Sequence, residues 1–296
     1  MSGEATVRVP GTCGELAQGL LNGEHFHITC PIDLYAMATV DLARGSGRVV
    51  GPGDHPKACK SIELTLDFLH RKDLDARLAL TNPLLPGKGM ASSTADVAAA
   101  AYATGLAVGV DLSPTQIASI AVRVEPSDGL MFPGIALFDH REGKLLKLLG
   151  PTPAMRVLVL DFGGTVNTLA FNAIDRRAEL QRLEPWWKEA VALITSGVSS
   201  EDAGLVGAGA TLSTLAHQQI LPKPQLEPVL TFAREVGAVG VNVAHSGTVL
   251  GVLFRDEPDR VERAASRARR ELGGIEALYC RHLVDGGGAQ VAAFPR

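Results

Sequence analysis

Apolar and polar positions along the chain alternate between two periods, and each change of period marks an element. Ala5 to Val9 alternates loosely and runs into Pro10-Gly11, which predicts an edge strand ending in a turn. Thr12 to Gly19 is small, polar and flanked by glycine, so it reads as a functional loop or the start of a short helix. His27 to Ile32 and Tyr35 to Asp41 predict two more strands, the second with aromatic and β-branched residues at alternate positions. Arg44 to Lys57 is rich in glycine, proline and charge and predicts a surface connection. Ile62 to His70 follows with Ile62, Leu66 and Leu69 on one helical face. Arg77 to Asn82 is a short strand. Ser93 to Val108 is almost unbroken alanine and apolar sequence, which predicts a helix buried on most sides. Ser113-Pro114 supplies an N-cap and a first helical residue for a helix to about Val124.

The second half opens after a strand at Gly134 to Asp139, a turn at His140 to Gly143 and two interrupting prolines, Pro151 and Pro153. Arg156 to Asp161 predicts a new strand. Helices are expected at Asp175 to Gln181, Trp186 to Ser196, Ser200 to Ser213 and Pro228 to Val236. Strands at Gly240 to Val243 and Val249 to Phe254 flank a turn at His245-Ser246-Gly247. A charged helix, Asp256 to Glu271, and a strand at Gln290 to Phe294 close the chain. Runs of strands followed by runs of helices predict an α+β fold. The prolines divide it into residues 1–152 and 153–296, in keeping with 296 residues at roughly 100–200 per domain.

Composition narrows the function classes. A net charge of -4 provides no basic field for nucleic acid. No apolar run approaches the roughly 18 residues of a membrane helix, and the first ten residues lack the features of a signal peptide. The four cysteines, Cys13, Cys30, Cys59 and Cys280, form no Cys-x-x-Cys pair, which argues against a zinc site or a disulfide framework. A reduced, cytoplasmic compartment is the corresponding expectation.

The candidate chemistry centres on Leu85 to Ala95, Leu-Pro-Gly-Lys-Gly-Met-Ala-Ser-Ser-Thr-Ala. Gly87 and Gly89 let backbone approach a ligand closely and allow positive φ. The helix behind them offers free N–H groups and a dipole that favour an anion. Ser92, Ser93 and Thr94 add hydroxyls that can cap the helix, bind phosphate or ligate Mg²⁺, and Lys88 adds positive charge. The spacing is not that of a Walker A loop. By itself the segment also fits a glycine turn ahead of a serine-capped core helix.

The run Pro86 to Ala95 resembles the ATP-binding motif of the GHMP kinases, commonly Pro-x-x-x-Gly-Leu-Gly-Ser-Ser-Ala. Here one residue fewer separates Pro86 from Gly89, Ala91 replaces the second glycine, and Lys88 and Thr94 replace small residues. Val9 to Glu15 resembles the first family motif, and Val241 to Phe254, with Ala244-His245-Ser246-Gly247-Thr248, resembles the third. The resemblance implies a two-domain fold, with an N-terminal ribosomal-S5-like α/β domain and a C-terminal ferredoxin-like α+β domain. It implies ATP and Mg²⁺ as cofactors and a small-molecule substrate. The finer similarity is to the branch of L-threonine kinases of cobalamin synthesis and propanediol utilisation. It rests on Pro10 to Gly19, Ile28 to Ile32, Gly87 to Asp96 and Ala244 to Thr248. That branch implies an amino-acid acceptor, no nucleic-acid or membrane partner, and a monomer or homodimer. A kinase of homoserine or a related metabolite, and a catalytically silent sensor of the same fold, are the alternatives.

Pro86, Gly87, Lys88, Gly89, Met90, Ala91, Ser92, Ser93 and Thr94 are thus expected at the nucleotide. By the same resemblance, Ser93 and Glu125 are expected on Mg²⁺, and Asp128 on the acceptor hydroxyl as base or orienting acceptor. A turn role for Asp128 and a surface role for Glu125 remain open. Lys88 could neutralise charge on the transferring phosphoryl group, or be a solvated loop lysine. Glu15 suits the ammonium of an amino acid, or a capping role. Thr12, Cys13, Gln18, Thr165, His245, Ser246 and Gly247 complete the expected substrate wall. Cys13 and Cys30 also fit as small packing residues. Asp161-Phe162-Gly163 matches the metal triplet of protein kinases only by coincidence, because no His-Arg-Asp precedes it.

Overall fold

A computed structural model of the chain describes residues 3–166 and 174–291. Two long strands form its spine. β1 (Gly3–Leu21) and β2 (Glu24–Arg44) are joined by a tight turn at Asn22-Gly23, both in positive φ. The expected loop at Thr12 to Gly19 is therefore strand. Its small residues are explained by irregularity: the β1–β2 register shifts at Pro10/Gly11, between Thr12 and Glu15, and between Glu15 and Ala17. Each bulge adds a residue, bends the strand and re-aims side chains. The two strands predicted at His27 to Ile32 and Tyr35 to Asp41 are one, continuous through Asp33-Leu34.

The remaining elements follow as β3 (Val49–Val50), α1 (Pro56–Phe68), β4 (Leu74–Thr81), α2 (Ser92–Val108), α3 (Pro114–Ala121), β5 (Ile135–Asp139), β6 (Lys144–Gly150) and β7 (Met155–Asp161). Then come α4 (Arg177–Ser199), α5 (Ala203–His217), α6 (Leu226–Glu235), β8 (Gly240–Val243), β9 (Leu250–Arg255), α7 (Pro258–Glu271), β10 (Ala277–His282) and β11 (Ala289–Gln290). The sheet runs β10-β7-β9-β8-β1-β2-β4-β3, with β11 added to β1, β5 added to β2 and β6 paired with β5. It passes from one half of the chain to the other where Glu15 pairs with Val243. β6 and β10 were not expected: Lys-Leu-Leu-Lys-Leu-Leu carries no period of two, and β10 is half-buried along its whole length. The helices expected on either side of Pro185 are one. The proline removes a single hydrogen bond, while Leu180, Leu183, Trp187 and Ala190 keep one face of α4 buried. Of the strand expected at Gln290 to Phe294, residues 292–296 lie outside the described residues.

α2 occupies the centre. Its residues from Thr94 to Gly105 are all buried, and alanine lets β1, β2 and α1 approach its backbone closely. The larger apolar core joins α2 to β1, β2, β4 and β5. A second core, drawn from residues 158–280, lies between β7, β8, β9 and helices α6 and α7.

Candidate active site

The segment before α2 is held by backbone from both halves of the chain. Thr12 N–H donates to Met90 O (3.1 Å) and Gly14 N–H to Gly89 O (3.0 Å). From the other side, Thr248 and Val249 N–H both donate to Lys88 O (2.9 and 3.1 Å). Glycine is required where these segments cross. Gly89 has φ +83°, and a Cβ there would lie 2.2 Å from Ala244 Cβ. A Cβ on Gly247 would lie 2.3 Å from Gly89 N. The three segments singled out in the sequence are thus one interlocked scaffold. Ala91, the N-cap of α2, is left-handed (φ 53°, ψ 29°) and gives no side-chain cap. The first N–H groups of α2 therefore face outward without that partner, as an anion site needs.

They face a cavity of about 490 Å³. Pro86, Gly87, Gly89, Met90, Ala91, Ser92, Ser93 and Thr94 line it, together with Glu15, Glu125, Asp128 and Ser246. His55, Lys57 and Asp96 also line it, and nothing in the sequence had pointed to them. Asp96 is buried and accepts from Asn82 Nδ2 (2.7 Å), with His55 Nδ1 2.9 Å away; burial raises its carboxyl while His55 holds it down. Ser92 is structural: it accepts from Asn82 and donates to Leu84 O.

Two carboxylates stand beyond the helix start. Glu125 accepts from the Ser93 hydroxyl and from Lys57 Nζ (2.6 Å). Serine and carboxylate oxygens beside an anion cradle form a hard donor set, which suits Mg²⁺. Asp128 is held on both sides: Oδ2 accepts from Thr94 Oγ1 (3.2 Å), and Oδ1 lies 3.3 Å from His27 Nδ1. The Asp128 N–H donates back to Thr94 Oγ1 (3.3 Å). Thr94, a departure from the common motif, is thereby explained as a clamp on Asp128. Glu15 is buried and accepts from His245 N–H (2.7 Å). Burial, then the neighbouring Asp128 charge, raises its carboxyl to about 8, against the opposing pull of the His245 hydrogen bond and Lys223. Glu15, His27 and Asp128 bring ligand atoms within 4.8 Å of one another, an arrangement that favours a cation between them.

Several expected site residues sit elsewhere. Lys88 turns away from the cavity onto buried Asp161 (2.8 Å), because an ammonium at a packed strand end needs a counter-charge. Thr12 and Cys13 lie outside the cavity wall. Their backbone binds Met90 and Asn242, and burial raises the Cys13 thiol. Thr165 is exposed and packs against Gly87, whose carbonyl accepts from Val166 N–H (2.9 Å). The loop expected from Thr165 to Thr168 falls partly outside the described residues. Gly247 is part of the scaffold, and Lys223 donates to its carbonyl. Gln18 and His245 face a second cavity.

His27 and Lys223 were missed. His25 and His27 stand two apart in a strand and so share a face, a signal that was available. His27 stacks on His140 with ring centres 3.7 Å apart. Lys223 is buried from a loop with no pattern to mark it, and burial lowers its ammonium to about 8.

Comparison with known proteins agrees with this geometry. The family model of the GHMP kinases N terminal domain matches residues 57–133, and that of the GHMP kinases C terminal region matches residues 190–272. The L-threonine kinase of Salmonella typhimurium is 31% identical over 281 residues, covering 94% of this chain and 90% of that protein. The L-threonine kinase of Citrobacter freundii is 32% identical over 253 residues, covering 84% and 86%. In fold, the chain is similar to homoserine kinase from Cytophaga hutchinsonii (TM-score 0.75, 17% identity, 97% of each chain). It is also similar to L. major mevalonate kinase (TM-score 0.67, 17% identity, 96% and 95%). The chain belongs to the GHMP kinases and is an ATP-dependent kinase acting on a hydroxyl group.

Proposed function

We propose that the chain transfers the γ-phosphoryl group of ATP to the side-chain hydroxyl of L-threonine, giving L-threonine O-3-phosphate, a precursor of the cobalamin aminopropanol linker. The observation that carries the reading is the carboxylate pair Glu15 and Asp128 in one cavity with the N-terminus of α2. The two relatives named as L-threonine kinases support the substrate.

Each residue then has a role that follows from its contacts. The N–H groups at the start of α2 and the Gly87–Gly89 backbone receive phosphate oxygens. Ser93 and Glu125 would hold Mg²⁺, which supplies charge neutralisation at the phosphates. Glu15 takes the ammonium, which draws its carboxyl back to the ionised form. Asp128, fixed by Thr94 and His27, accepts the hydroxyl proton as the threonine oxygen attacks phosphorus and ADP leaves. The presence of Ser93, Glu125 and Asp128 together supports turnover over silent sensing. A division into domains at residues 1–152 and 153–296 is supported by the second core, which draws only on residues after 153.

The test is incubation with Mg-ATP and a panel of hydroxyl amino acids, with ADP release followed and the product identified by mass spectrometry. Threonine phosphate is the expected product. ADP released with homoserine and not with threonine would overturn the substrate, and no ADP with any of them would overturn the reading.

A further inference from the structure

Beside the site described lies a second cavity of about 250 Å³. Gln18, His25, His140 and His245 line it from the strands, and Arg141, Arg176 and Arg177 from the solvent side. Gln18 marks it as a binding site. The side chain is 4% exposed, and neither its amide oxygen nor its amide nitrogen has a hydrogen-bond partner. A buried amide left so is costly, and a ligand with polar ends removes the cost.

The field in this cavity is positive. Burial lowers His25 to about 4, and the Arg141 guanidinium is the next largest cause, with Arg177 adding to it. Burial also drives His140 down, together with neighbouring imidazoles and Arg141. The nearby acids are already engaged. Asp139 accepts from the N–H groups of Arg141 and Glu142, and Asp175 accepts from the Arg177 N–H at the start of α4. Three guanidiniums and a helix N-terminus thus converge with little negative charge against them, an arrangement that selects an anion.

Its position relative to Glu15 fixes which anion. Glu15 and Gln18 are three residues apart on β1, at most roughly 10 Å. Glu15, Gln18 and His245 also line one narrow crevice, which shares Glu15 with the first cavity and Gln18 and His245 with the second. An α-amino acid held at both ends by charge-assisted bonds of about 2.8 Å spans a similar length. We propose that the second cavity receives the α-carboxylate of the acceptor, bound by the Gln18 amide and the Arg141 and Arg176 guanidiniums, while the ammonium stays at Glu15. The inference rests on the amino-acid kinase reading and adds the determinant that selects a zwitterion over an uncharged alcohol.

The test compares L-threonine with L-threonine amide, which keeps the ammonium and hydroxyl and loses the carboxylate charge. Wild type and the Arg141→Gln, Arg176→Gln and double variants are assayed with Mg-ATP, and their melting temperatures recorded. In wild type, KM for the amide should exceed that for threonine by about 10- to 100-fold. In the double variant KM for threonine should rise by a similar factor, with kcat and melting temperature little changed and KM for the amide unmoved. Threonine turned over with an unchanged KM in every variant overturns the inference alone. So does an equal rise for threonine and amide, which would assign the arginines to general architecture. Absence of threonine turnover by wild type overturns the parent reading, and this inference with it.

Discussion

At the scale of single residues, the site depends on carboxylates whose freedom has been removed. Asp128 is gripped by Thr94 and His27, so a substitution there changes chemistry more than binding. Asp128→Asn keeps size and hydrogen bonding but cannot take a proton. It should lower kcat by about 10²- to 10⁴-fold while leaving KM for ATP nearly unchanged. Full turnover by this variant would remove Asp128 from the chemistry. Glu15 makes a different prediction. Its carboxyl is raised from 4.5 to about 8, so between those values the folded protein holds a proton that the unfolded chain has lost. Stability of the substrate-free protein must then fall as pH rises through that window. Glu15→Gln cannot titrate, so its melting temperature relative to wild type should climb from about pH 5 to about pH 8. A difference independent of pH would mean that Glu15 is not buried as described. Glu15 and Asp128 were legible in the sequence as carboxylates beside glycine-flanked segments. His27 and Lys223 were not, because what gives them meaning is a partner far along the chain.

At the scale of elements, local patterns predicted well wherever a local cause acts. The loop before α2 was readable because positive φ at Gly87 and Gly89 and hydroxyls at a helix start are local requirements. α2 was readable because continuous apolar sequence fits only a buried helix. The bulged centre of β1 was misread as a loop, since bulges look like loops until the partner strand is known. Pro185 was misread as a break, since burial on both sides of it outweighs one missing hydrogen bond. Ala91 is a further case, where the common family motif has glycine. The structure holds it left-handed, which costs an alanine roughly 1–2 kcal/mol. Glycine would relieve that strain and give back part of the gain as unfolded-chain entropy. Ala91→Gly should therefore raise stability by up to about 1 kcal/mol, read as a later midpoint in urea. A loss of stability would mean that Ala91 packing outweighs its backbone strain.

Across the whole molecule, the two halves are joined by a shared sheet, by the crossing of Gly89 with Ala244 and Gly247, and by a buried ion pair. Lys88 was expected at the phosphates and instead meets Asp161, 73 residues away, which also accepts the Gly163 N–H. Breaking such a pair strands a buried charge, so Asp161→Asn should cost about 3–5 kcal/mol of stability. A cost below about 1 kcal/mol would show Lys88 free to swing to the nucleotide. The fold class was legible from the order of strands and helices. The continuous sheet was not, because the bridge between Glu15 and Val243 leaves no mark in either segment. The central claim, a kinase specific for L-threonine, is tested most directly by kcat/KM for L-threonine, L-homoserine and L-serine under one Mg-ATP concentration. The account predicts that threonine exceeds both by about tenfold or more, the discrimination that one well-packed methyl or a displaced hydroxyl can supply. A kcat/KM for homoserine equal to or above that for threonine would contradict it.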